Sequence, residues 1–275
     1  MNPDDHFVLN LCPTGIVPTR ERSAEAPLTP DEVARDLRAC LPHGLSSVHL
    51  HARDDGLRNS NEPAVYARFI EAVRECSEEL VLCVSLSGRI DPSLDGRAAV
   101  LDLDGDLRPD MGSLTLGSMN FTRDASLNAP DTIAGLAVRM QERGIKPELE
   151  VFDLGMVNCA HYLISRGYLE PPYLFNILLG NPFTAQADPL HLGAILKELP
   201  EDSLWAAGGI GRYQTPALAM ALAAGGGVRV GLEDNLWFDR QREVPATNAA
   251  LVARAAEIGR LLDRTPYTPA ALRKR

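Results

Sequence analysis

Short apolar runs alternate with longer amphipathic stretches along the whole chain. Eight runs rich in β-branched and apolar residues read as strands: Phe7–Leu11, Ser47–His51, Leu80–Ser85, Ser113–Leu116, Glu148–Phe152, Tyr173–Leu178, Leu204–Ala207 and Val228–Gly231. They are short, bounded by turn residues and often apolar on both faces, as parallel strands covered by helices are. Between them lie stretches with helical spacing: Thr29–Leu41, Pro63–Cys76, a short one at Leu94–Leu103, Ala129–Arg143, Gly155–Arg166, Pro189–Glu198, Thr215–Ala224 and Ala246–Leu262. The helix boundaries carry their own chemistry. Thr29 before Pro30, Asp31 and Glu32 reads as an N-cap, an N1 proline and acids in the first turn. Asp131-Thr132 suggests the same for the fourth helix, and Gly144 and Gly167 mark helix ends.

Eight strand–helix pairs without a break in composition predict an α/β fold, a (β/α)8 TIM barrel forming one domain over residues 1–275. A doubly wound open sheet is the alternative. It usually carries a glycine-rich phosphate loop after its first strand, and Cys12-Pro13-Thr14-Gly15 is not one. The barrel matters because the C-terminal ends of its strands converge on one mouth, however far apart they lie in sequence.

Composition narrows the partners. The net charge of −10, with no basic run, argues against nucleic acid. Five cysteines, an odd number without a CxxC pair, point to free thiols in a reducing compartment. The N-terminus lacks the basic and apolar segments of a signal peptide, and no apolar run approaches the ~20 residues of a membrane span. A cytoplasmic protein working on small molecules, as a homo-oligomer, is the expectation.

The chemistry concentrates at strand ends. In Val48-His49-Leu50-His51, the histidines are two apart and share a strand face. Two imidazoles on one face at the functional end of a barrel suit a transition metal, zinc first among them. The plainer alternative is a pair of hydrogen-bonded core histidines. The last strand ends in Gly231-Leu232-Glu233-Asp234-Asn235. Closure of the barrel brings it near the histidines, so Glu233 offers a third, oxygen ligand and Asp234 a general base. Arg229, deeper in that strand, suits a partner for Asp234 or for a substrate carboxylate. On the fifth strand, Glu148 and Glu150 share a face and must be paired if buried. They read either as carboxylates behind the histidines or as partners of Arg229 or Arg53. Asp153 ends the same segment.

Other strand ends carry weaker signals. Gly208, Gly209, Gly211 and Arg212 follow the seventh strand, where barrels often bind phosphate, though glycines there equally serve a tight turn. Ser85, Ser87, Gly88 and Arg89 follow the third strand, and Ser118 and Asn120 the fourth; all face the same mouth and suit a carboxylate or carbonyl. Another metal-dependent barrel enzyme, a hydrolase or an aldolase-type lyase, also accommodates an HxH pair. The amidohydrolase type would want histidines on strands five and six, which have none. A non-catalytic binding protein is the remaining class.

Beyond the chemistry, the segments Thr14-Gly15, Pro27-Leu28-Thr29-Pro30-Asp31-Glu32, Val48 to Asp54, Pro109 to Phe121, Glu148 to Asp153 and Val228 to Asn235 occur in this order. On them the chain resembles the β-keto acid cleavage enzymes, the group that includes the 3-keto-5-aminohexanoate cleavage enzyme, over nearly its whole length. The resemblance implies a zinc-dependent barrel that condenses a β-keto acid with acetyl-CoA and releases acetoacetate and a new acyl-CoA. It implies His49, His51 and Glu233 as metal ligands, and Asp234 with Arg229 as the proton-abstracting pair. Ser118 and the Ser85–Arg89 loop become substrate-binding positions. Val17 stands where the aminohexanoate enzyme has a glutamate that meets the substrate's amino group. Without that charge, the resemblance implies a keto acid with a neutral or apolar side chain, while Arg89 raises the competing case of an anionic tail.

Overall fold

A computed structural model of the chain describes residues 5–275; Met1–Asp4, the start of the segment read for a leader, lie outside the described residues. Eight parallel strands form one closed barrel: β1 (Leu9–Leu11), β2 (Ser47–Leu50), β3 (Val81–Val84), β4 (Met111–Thr115), β5 (Lys146–Val151), β6 (Tyr173–Leu179), β7 (Ser203–Gly209) and β8 (Gly227–Val230). Each pairs with its sequence neighbours, and β8 closes on β1 through Arg229 opposite Asn10. The expected (β/α)8 barrel is therefore what the chain forms.

The surrounding helices are α1 (Pro30–Cys40), α2 (Pro63–Cys76), α3 (Leu94–Ala98), α4 (Pro130–Glu142), α5 (Leu154–Ser165), α6 (Pro189–Glu198), α7 (Gln214–Ala223) and α8 (Asn248–Leu261), followed by a one-turn α9 (Pro269–Leu272). The main apolar core lies between the strands and this ring. α1 starts as its sequence dictates: Thr29 accepts from Glu32 N, and the Glu32 carboxylate accepts from Thr29 N. The expected cap at Asp131-Thr132 does not form. Ala129 holds the N-cap of α4 with no side-chain bond, and Pro130 at N1 shifts Asp131 into the first turn. Asp153, read as a strand-end acid, is instead the N-cap of α5, its carboxylate accepting from Met156 N. A short polar side chain just ahead of a helix is drawn to the free amides of its first turn.

The first strand starts later than expected and the second ends earlier. His6-Phe7 pairs with Thr265-Pro266 rather than continuing into β1. β2 stops at Leu50, and Ala52-Arg53 turns away to pair with Asn59-Ser60. The short helix predicted at Leu94–Leu103 tightens after Ala98 into a 3-10 turn through Asp102. At the N-terminal end of the barrel Val8, Val81, Cys83 and Met111 pack with Tyr267 and Leu272, forming an apolar floor. No helix among the described residues is long and apolar enough to cross a membrane.

Candidate active site and metal centre

The two histidines of the second strand segment meet at the C-terminal mouth. His49 is 1% and His51 6% exposed, with ring centroids 5.3 Å apart. Glu148 Oε2 lies 2.7 Å from His49 Nδ1, and Glu148 Oε1 accepts from Asn10 Nδ2 at 2.7 Å. A carboxylate on Nδ1 assigns the proton to that nitrogen and leaves Nε2 as the donor to a cation. Burial would lower the His49 imidazole, but Glu148 and Glu233 outweigh it and raise its pKa to about 9. Burial likewise pushes Glu148 up, yet His49 and Arg229 hold it below the usual carboxylate range. The cluster thus draws positive charge to the place where a metal ion would bring it.

Glu233 completes the group. Its Oε1 is 3.3 Å from His51 Nε2, and one ligand atom from each of His49, His51 and Glu233 lies within 4.8 Å of the others. Glu233 Oε2 is buried without a partner. An orphaned buried carboxylate oxygen indicates a missing counter-charge. His49, Cys83 and Glu148 also lie close together. That trio is a poorer cation site: both Glu148 oxygens are engaged, and burial pushes the Cys83 thiol well above its ordinary value.

Arg229 links Glu233 to Asp234. Its Nη2 donates to Glu233 Oε1 at 2.6 Å, and its Nε to Asp234 Oδ2 at 2.8 Å. Its Nη1 reaches Glu150 Oε1 at 3.5 Å, while Thr115 Oγ1 donates to Glu150 Oε2 at 2.6 Å. The two strand-five acids, whose roles the sequence left open, therefore divide: Glu148 backs the histidine and Glu150 pairs with Arg229. Neither meets Arg53, which donates instead to the carbonyls of Gly15, Pro18 and Leu57. Asp234 and Glu233 are pushed apart in acidity. Burial and the Glu233 charge raise Asp234 against the pull of Arg229, whereas Arg229 and both histidines overcome burial and hold Glu233 well below the usual range. Two neighbouring carboxylates thus differ in acidity because their surroundings differ.

The remaining expected site residues lie at or after the ends of β1, β3, β4 and β7. Ser85 Oγ accepts from Ser87 N, and Ser87 Oγ from Arg89 N, so the serines shape the loop. Arg89 stacks on Phe121 at 4.8 Å and lies 3.5 Å from Asp124. Ser118 Oγ accepts from Asn128 N; Asn120 lends its carbonyl to Asn181 Nδ2. Val17, in the first loop, is 41% exposed. That loop passes close over Glu233: Gly15, at φ +70°, has no room for a Cβ, which would stand 2.4 Å from Glu233 Cγ. Gly208 packs on Arg229, where a Cβ would sit 3.1 Å from its Cβ. Gly209 lies against the backbone of Tyr213, the Gly211 N–H is engaged by the Asp234 carbonyl at 2.7 Å, and Arg212 is exposed beside Tyr213.

Three polar residues of this region escaped the sequence reading. Asn10 stands alone between Leu9 and Leu11, and Asn176 alone within the apolar Tyr173–Leu179 strand. A lone amide inside a buried strand was a usable signal. Both Asn176 amide atoms are buried without partners. Arg97, wholly buried on α3, gave no signal, since a helical arginine is ordinarily solvated.

The family model for beta-keto acid cleavage enzyme matches residues 6–275. A 3-keto-5-aminohexanoate cleavage enzyme of Fusobacterium nucleatum is 32% identical over 270 residues, covering 96% of this chain and 95% of that protein. A 3-oxoadipate:acetyl-CoA acetyltransferase of Cupriavidus necator is 34% identical over 254 residues, covering 91% and 87%. Among solved structures, the ternary complex of ObcA with C4-CoA adduct and oxalate superposes with a TM-score of 0.80 at 22% identity, covering 91% of this chain and 67% of that one. That likeness speaks for the fold alone, and the chain spans about two thirds of the ObcA length.

Proposed function

The chain belongs to the beta-keto acid cleavage enzyme family, and from that membership we propose a zinc-dependent enzyme that exchanges the acyl group of a β-keto acid with acetyl-CoA, releasing acetoacetate and a new acyl-CoA. The observation that carries this reading is the convergence of His49, His51 and Glu233 beside the Arg229–Asp234 pair. The donor set fits a zinc ion: two imidazoles and a carboxylate, one oxygen of it orphaned, with a position left for substrate. Held by His49, His51 and Glu233, the ion would supply Lewis-acid polarisation of the keto carbonyl.

The chain's own residues perform the proton chemistry. Asp234, raised by burial, takes a proton from the carbon between the keto group and the carboxylate. Arg229 holds that carboxylate through Nε and keeps it oriented. The released electron pair forms a bond to the thioester carbon of acetyl-CoA, and the CoA thiolate leaves. The thiolate then adds to the original keto carbon. The bond from that carbon to the α-carbon breaks, its electron pair returning to the α-carbon, which regains a proton from Asp234. Acetoacetate and the new acyl-CoA account for every atom. Ser85, Ser87, Gly88 and Ser118 frame the keto acid. Arg212 is the exposed cation of the Gly208–Arg212 loop and suits the CoA phosphates.

Val17 offers no charge to a cationic substrate tail, so the side chain of the keto acid is neutral or apolar. Arg89 is already occupied by Phe121 and Asp124, which weighs against an anionic tail. The five free cysteines support a reducing, cytoplasmic location.

Incubating the purified, zinc-supplemented protein with acetyl-CoA and a panel of β-keto acids tests the reading. Acetoacetate and a matching acyl-CoA should appear together, fastest with neutral side chains. His49→Ala should lose bound metal and roughly 10³-fold or more of the rate. No acyl-CoA from any keto acid, or full activity in His49→Ala, would overturn the proposal.

A further inference from the structure

Arg97 lies at the mouth yet has no part in the chemistry above. It is 1% exposed, among the largest wholly buried side chains of the molecule. Its Nε donates to Leu86 O at 2.6 Å and its Nη2 to Asn128 Oδ1 at 2.9 Å. Its Nη1 is buried with no partner. Among the described residues no carboxylate forms an ion pair with it. Burial pulls its pKa down to about 10, and the only charge opposing that pull is Glu150, which belongs to Arg229. An enclosed guanidinium with two fixed bonds, one nitrogen without a partner and no counter-ion is costly to keep unless something negative comes to it.

Its surroundings indicate where. Leu86 and Gly88 belong to the loop after β3. Asn128 bonds to Ser118 Oγ and to the Gly117 carbonyl in the segment after β4. Gly88 packs directly on the guanidinium: a Cβ there would stand 3.0 Å from Nη1 and 3.3 Å from Cζ. The cation therefore sits under the loops that frame the proposed substrate. Of the other buried arginines near the mouth, Arg229 is saturated by Glu150, Glu233 and Asp234, and Arg53 directs its terminal nitrogens to the carbonyls of Gly15, Ile16, Pro18 and Leu57. A charge in such an enclosed place acts over several ångströms without contact.

We propose that Arg97 is the buried counter-ion of the substrate carboxylate, holding the acid end of the keto acid over the Gly88–Ser118 side of the mouth. This rests on the keto acid reading above and adds to it a determinant of acid specificity. Arg97 acts on binding, and the proton transfer stays with Asp234.

The test compares acetoacetate with its neutral methyl ester as competitors of the cleavage reaction, in the zinc-supplemented enzyme. The wild type should prefer the acid. Arg97→Gln should reduce that preference by about 10- to 100-fold and raise KM for the keto acid, with KM for acetyl-CoA and kcat within about 3-fold. Arg97→Lys, which keeps the charge, should retain most of the preference. Should Arg97→Gln fold poorly, Asn128→Asp places a carboxylate on the same guanidinium and should reduce the acid preference in the same direction. An unchanged acid-to-ester ratio in Arg97→Gln, or an equal loss of both competitors, would mean a structural role only. If Arg97→Lys lost as much preference as Arg97→Gln, charge would not be the cause and the proposal would fall. A wild type that cleaves no keto acid would remove the functional reading itself, an outcome distinct from an active wild type with an unaltered variant.

Discussion

The two ends of the barrel are built from the same strands and have opposite character. Along β4, Met111 lies in the floor while Thr115, two turns of the pleat higher, bonds to Glu150 at the mouth. On β3 the change falls at Cys83, which packs with the floor residues and lies 3.5 Å from Glu148 Oε2. The segment before β1 puts Val8 in the floor, and β1 itself puts Asn10 on Glu148. Below, apolar side chains pack with the returning Tyr267 and Leu272. A cavity there, lined by Met111, Leu174 and Leu204, contains none of the proposed catalytic groups. Above, buried charges are packed against one another: Arg229 with three acids, His49 with Glu148, His51 with Glu233. Strands such as β1 and β4 thus place apolar groups below and polar ones above, which is how a barrel holds reactive groups at fixed distances without solvating them.

If that division is real, the two ends should fail differently. The largest effect is expected from Asp234→Asn, which leaves the ligands in place. The kcat should fall by about 10²- to 10⁴-fold with metal content unchanged, as metal analysis alongside steady-state kinetics would establish. Next is the floor. Met111→Ala should cost about 2–3 kcal/mol, seen as a melting temperature lower by about 4–10 °C, with kcat within about 2-fold. A floor variant that lost activity before stability would break the comparison. Behind the histidine, Glu148→Gln should weaken zinc binding by about 10- to 100-fold in a chelator competition, since Nδ1 would lose its charged acceptor.

The smallest effect concerns Asp36, below the rim. It accepts from Asn248 Nδ2, and Asn248 in turn bonds to Pro13 O and Leu232 N, tying the first and last loops together. Burial lifts its pKa from 3.8 to about 6, against the Asn248 hydrogen bond that lowers it. The folded state therefore binds this proton more tightly than the unfolded one. Its contribution is fully present below about pH 4 and is lost as pH rises through 6, so at pH 7.5 the charged form is a burden. Asp36→Asn should raise stability at pH 7.5 by about 1 kcal/mol, or about 2–4 °C, and give no gain at pH 4. Equal gains at both values would mean that the carboxylate does not titrate as its burial implies.

Much of the architecture was legible because it repeats locally. Eight apolar runs, the capping box at Thr29 and Glu32, and the left-handed glycines at Gly144 and Gly167 each declare themselves within a few residues. The histidine pair did so too, since a spacing of two fixes the shared face of a strand. Where the reading slipped, two local options competed. Asp153 had as good a claim to a strand end as to a helix cap, and the free amides of α5 won it. At Asp131 the preceding proline moved the helix start by a residue, and the capping role went with it.

By itself, then, the sequence determined the barrel, the parity of His49 and His51, and the presence of acids and an arginine on strands that must meet. Only the tertiary structure decided which met which: Glu148 with His49, Glu150 with Arg229, Asp234 beside Glu233, and Arg97 enclosed beneath Gly88 without a counter-ion. The physical reason is range. Periodicity and capping act over a few residues, whereas the strength of a buried charge pair depends on ångström distances and local exclusion of water between groups that barrel closure brings together from opposite ends of the chain, as for His51 and Glu233.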